Sequence, residues 1–107
     1  MILQINFNLN VPAADYQKMA ESVAPAFLDV PGLTWKIWLL NPATQEAGGI
    51  YLFESQASLD AYVNGPLVAK LREIPFVRNI SIKQFDVMPE ITELTRGPVA
   101  TALKSDA

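Results

Sequence analysis

Lys36 stands between Trp35 and Trp38 in the run "WKIW", and Glu46, Gly49, Tyr51 and Phe53 follow in "EAGGIYLF". These residue types suit the lining of a pocket. A lysine on an apolar surface can hold an anion, snorkel to a rim or pair with a carboxylate. A tyrosine can donate a proton or a hydrogen bond, and tryptophan and phenylalanine offer ring faces for positioning. Asn6, in "ILQINFNLN", adds an amide that could bond a substrate oxygen. Lys36, Tyr51 and Asn6 are therefore the candidates for chemistry. Trp38, Gly49, Glu46 and Phe53 are the candidates for lining the site. Each also has a plainer use. The aromatic residues could be interface core, Asn6 a satisfied amide and Glu46 a solvated turn residue.

What is missing narrows the chemistry. The 107-residue chain has no histidine and no cysteine. That removes His/Cys zinc sites, haem held by His or Cys, Ser-His-Asp and Cys-His catalysis, and any disulfide framework. No G-x-G-x-x-G follows a strand, because "AGGIYL" leads into one. No metal or cofactor is expected. A net charge of −3 without a basic run argues against nucleic acid. No apolar stretch approaches the length of a membrane span, and no leader pattern opens the chain. The absence of cysteine fits a cytoplasmic protein.

The elements that must position these residues follow from periodicity. Residues 1–9 alternate, with Leu3, Ile5, Phe7 and Leu9 on one side and Gln4, Asn6 and Asn8 on the other, as a half-buried strand does. After Pro12, Tyr16, Met19, Ala20, Val23 and Phe27 recur at helical spacing, with Pro25 expected to kink or end the helix. "LTWKIWLL" and "AGGIYLFE" read as a hairpin across "NPATQE". Ser55 suits an N-cap for a second helix, which Gly65-Pro66 should split. "FVRNISIKQFDV" is a fourth strand whose imperfect alternation predicts a bulge or an edge contact, and a short helical tail follows, broken at Gly97-Pro98. The order β-α-β-β-α-β predicts one α+β, ferredoxin-like domain over residues 1–107, with a core of 1–89 and a tail of 90–107. The last residues, "KSDA", are expected to fray.

If Asn41 and Glu46 close the hairpin turn, Trp38 lies opposite Gly49 and Lys36 opposite Tyr51 on one face. Trp35, Ile37, Ile50 and Leu52 share the other. The second set is wholly apolar, which predicts that it packs under the helices with Leu3, Ile5, Phe7 and Leu9. Lys36, Trp38, Gly49, Tyr51 and Phe53 would then occupy the uncovered face beside Gln4, Asn6 and Asn8. A second copy of the sheet would cover that face, giving a homodimer with a cavity between sheets.

"GLTWKIW", "EAGGIYLFES", "AYV" and "KQFDV" resemble the YdhR-type putative monooxygenases of the dimeric α/β-barrel, antibiotic-biosynthesis monooxygenase-like superfamily. The resemblance covers about residues 1–89. It implies small ferredoxin-like chains that dimerise sheet to sheet. It also implies oxygenation without metal, flavin or haem: a small aromatic or quinol-like substrate is deprotonated, and its anion reacts with molecular oxygen. Polar and aromatic pocket residues would steady the charge. Two other functions suit the same scaffold, a small-molecule binder or isomerase/lyase, and a non-catalytic dimeric module.

Overall fold

A computed structural model describes residues 1–99. Strand β1 (Ile2–Leu9) leads through Pro12 into helix α1 (Ala13–Val23), and a 3-10 turn, Ala24–Asp29, follows with Pro25 near its start. Proline there lacks an N–H that a helix interior would need, so the chain tightens and re-aims. Hairpin β2 (Leu33–Asn41) and β3 (Glu46–Phe53) comes next. Helices α2 (Gln56–Val63) and α3 (Pro66–Glu73) are separated at Gly65-Pro66, and β4 (Val77–Phe85) and α4 (Pro89–Leu94) complete the described chain. Ser55 caps α2 in a reciprocal box: its hydroxyl accepts from the Ser58 N–H, and its N–H donates to the Ser58 hydroxyl.

The four antiparallel strands lie in the order β2-β3-β1-β4. This is the ferredoxin-like α+β arrangement expected from the element order. Asn79, with φ of 56°, marks the β4 bulge, where the β1–β4 register shifts between Asn6 and Asn8. No helix among the described residues is long and apolar enough to cross a membrane.

The hairpin has the expected register, with Lys36 opposite Tyr51 and Trp38 opposite Gly49. Its seating against β1 corrects the expected faces. Leu3 pairs with Tyr51, Ile5 with Gly49 and Phe7 with Ala47. Directly opposed residues share a face, so Lys36, Trp38, Tyr51 and Phe53 point into the helix layer with Leu3, Ile5 and Phe7. The expected site on an uncovered face, enclosed by a partner sheet, is thereby overturned. The open face instead carries Trp35, Ile37, Ile50, Leu52, Ile2 and Phe85 with Gln4, Asn6 and Asn8.

Part of that face is covered from within the chain. Val99 and Leu52 are buried together, with Ile2, Trp35 and Val87 packed around them. The Trp35 indole N–H donates to the Pro98 carbonyl at 2.8 Å. Trp35 is thus partly buried, and under the C-terminal segment rather than under the helices. Ile37 and Phe85 stay about half exposed, at 49% and 48%. The segment at 104–107 expected to fray lies outside the described residues.

Candidate functional site

The site forms where an apolar helix face meets the aromatic side of the hairpin. From α1 and the turn after it come Tyr16, Met19, Val23 and Phe27; Lys36, Trp38 and Tyr51 come from the sheet and Tyr62 from α2. Helix α3 adds Leu67, Lys70 and Leu71, and its C-terminal flank adds Ile74. Together they line a cavity of about 270 Å³. All three tyrosines of the chain reach it.

The Lys36 ammonium lies 3.4 Å from the Trp38 ring centroid, 3.8 Å from Phe27 and 4.7 Å from Tyr51. Gly49 makes room for this. A Cβ there would stand 2.8 Å from Lys36 Cε and 3.2 Å from Tyr51 Cε1. The glycine opposite Trp38 therefore leaves space for the lysine stem. Burial lowers the Lys36 pKa to about 7, because the apolar surroundings disfavour the charged form. The aromatic faces act the other way and attract the ammonium once it forms. Lys36 is thus an amine that can be neutral near physiological pH, with three rings ready to hold its conjugate acid.

The Tyr62 hydroxyl donates to the Tyr51 hydroxyl oxygen at 3.1 Å. One bond between the two hydroxyls leaves one phenolic proton of the pair free to donate to a ligand. Burial, then the neighbouring Tyr62, raises the Tyr51 pKa far above the ordinary tyrosine value, so this donor stays protonated. Burial raises Tyr62 and Tyr16 as well. Tyr51 packs against Phe53 at 6.2 Å and Tyr62 at 5.2 Å, which fixes its ring.

Of the residues singled out in the sequence, the structure unites Lys36, Trp38, Gly49 and Tyr51, with Phe53 fully buried behind Tyr51. It places Asn6 and Glu46 elsewhere. They line a separate depression of about 210 Å³ with Leu39 and Asn41. The Asn6 side-chain oxygen, Oδ1, accepts from the Gln4 side-chain amide at 2.9 Å. Phe27, Tyr62 and Lys70 are lining residues that sequence reasoning did not assign to the site. The available signal was the placement of tyrosines on helix faces that are otherwise apolar.

Comparison with known proteins places this geometry. No curated protein matches the chain. Among solved structures, it resembles the NE2512 protein of unknown function from Nitrosomonas europaea (18% identity, TM-score 0.69, covering 81% of this chain and 87% of that one). It resembles the haem-degrader MhuD from Mycobacterium tuberculosis (21% identity, TM-score 0.64, 84% and 98% coverage). It also resembles a point mutant of SnoaB, a cofactor-independent oxygenase from Streptomyces nogalater (14% identity, TM-score 0.59, 83% and 96% coverage). At these identities the likeness shows the fold. The model of the family described as "Putative mono-oxygenase ydhR" matches residues 2–98, and the chain belongs to that family.

Proposed function

We propose that the protein is a cofactor-independent monooxygenase of a small aromatic or quinol-like substrate, bound between its own sheet and helices. The observation that carries this reading is the amine of Lys36, held in an apolar cavity against Phe27, Trp38 and Tyr51. The neutral amine takes the acidic proton of an aryl ketone's CH₂ group, or of the O–H of its phenol tautomer. The resulting ammonium is held by the three rings, and the substrate becomes an electron-rich anion. The Tyr51 hydroxyl donates to the substrate oxygen on which that charge develops. The anion's carbon adds to molecular oxygen, forming a C–O bond and a peroxide. The O–O bond then breaks, the distal oxygen leaves as water with two protons, and the carbon becomes a carbonyl. Overall, a CH₂ group and O₂ give C=O and H₂O, with no external reductant.

A homodimer through the open sheet face, working in the cytoplasm, belongs to the same reading. Half-exposed Ile37 and Phe85 on that face support a self-complementary contact. The function is tested with anthrone, a flat ketone with an acidic CH₂, in an oxygen electrode. One O₂ should be consumed per anthraquinone formed, faster than in buffer. Product formation at an equal rate without oxygen would overturn the proposal.

A further inference from the structure

The charges of the cavity are one-sided. The chain carries 11 Asp and Glu residues against 8 Lys and Arg, yet the cavity lining includes two lysines and no carboxylate. Lys36 lies inside, and Lys70 is exposed on α3. Leu67, Lys70, Leu71 and Ile74 follow i, i+3, i+4, i+7 spacing, so one helix stripe faces the cavity. Three of its positions are apolar, and the lysine is the exception. Across Trp38 lies a second depression, of about 350 Å³, which Tyr16 and Trp38 share with Gln17 and Glu21. Glu21 lines that depression and not the cavity, whereas Lys70 lines the cavity and not that depression.

We propose that the ligand of this cavity is a rigid arene carrying a carboxylate, placed so that the acid group meets Lys70 at the mouth while the reacting end meets Lys36. The proposal rests on the cavity assigned above and narrows its substrate class to aromatic acids. A fixed anion at the exposed mouth needs little desolvation. It sets the direction in which the ring enters, with the reacting end inward. A neutral arene would use the apolar walls but leave Lys70 without a role.

The test reads binding alone, under nitrogen, so its outcome is separate from that of oxygen turnover. The probes are 6-hydroxynaphthalene-2-carboxylate, whose acid and hydroxyl lie at opposite ends, and the corresponding carboxamide, of the same shape without the charge. Calorimetry should find the acid bound about three- to tenfold more tightly, as an ion pair near the surface allows. In Lys70→Met this preference should shrink towards one while the amide affinity holds. Lys70→Arg should retain it. Circular dichroism verifies that both variants fold. Equal binding of acid and amide by the unmodified protein, failure of both to bind, or a preference unchanged in Lys70→Met would each overturn the proposal.

Discussion

Replacing Lys36 by methionine should stabilise the protein at pH 6 and lose much of that advantage by pH 9.5. The folded state lowers the Lys36 pKa from 10.5 to about 7 through burial. At about 1.36 kcal/mol per pH unit, holding the ammonium in the fold costs at most ~5 kcal/mol. Residual solvent contact of the partly exposed side chain reduces that figure. A penalty of roughly 3–5 kcal/mol remains below pH 7. Between pH 7 and 10.5 the unfolded chain binds a proton at this position that the folded chain releases, so stability rises with pH. Methionine keeps the length and apolar contacts without the charge. Urea denaturation followed by circular dichroism should therefore show Lys36→Met ahead by roughly 3–5 kcal/mol at pH 6, and by about 1 kcal/mol at pH 9.5, on the order set by that linkage. The range must stop there, because the buried tyrosines have raised pKa values and their ionisation destabilises the fold above about pH 10. A variant less stable than the parent at both pH values, or a difference that stays flat across the range, would refute a buried, partly neutral lysine.

Four further outcomes follow from the same geometry. With anthrone, kcat/KM should rise with pH through about 7, the Lys36 value, because the base acts when unprotonated; Lys36→Met should remove this limb and most of the rate. Tyr51→Phe removes the donor to the developing oxyanion and should lower kcat by about 10²-fold in steady-state assays, with little change in KM. Gly49→Ala puts a methyl 2.8 Å from Lys36 Cε, so the lysine stem must shift; stability should fall by about 1 kcal/mol and turnover by more than stability explains. Sedimentation should give about twice the 11.8 kDa chain mass, and Ile37→Asp with Phe85→Asp should return it to a monomer of unchanged circular dichroism.

The local elements were legible because their signals are local. Alternation in residues 1–9, the prolines at 25 and 66, the Ser55 cap and the turn between Asn41 and Glu46 each constrain the backbone within a few residues. The hairpin register was also readable, since a short turn fixes which residues oppose each other. Clustering of Lys36, Trp38, Gly49 and Tyr51 followed from that register alone. The reading failed at the step from hairpin to sheet. Trp35, Ile37, Ile50 and Leu52 form the more apolar set, and hydrophobicity alone would bury them under the helices. The C-terminal segment supplies cover for part of that set instead, through Val99 and the Pro98 carbonyl.

By itself, then, the sequence determined the order of elements, the pairing within the hairpin and the exclusion of histidine and cysteine chemistry. Tertiary structure decided which side of the hairpin meets the helices, and so whether Lys36 faces a partner or its own core. That choice rests on the pairing of β3 with β1, which are far apart in the chain, and strand pairing at that separation has no local signal. The same pairing removed Asn6 and Glu46 from the lysine cavity and brought in Phe27, Tyr62 and Lys70 from helical segments distant in the chain. A cation can sit in that helix layer because three ring faces attract it where water is largely excluded, and only packing brings those rings to 3.4, 3.8 and 4.7 Å from one nitrogen.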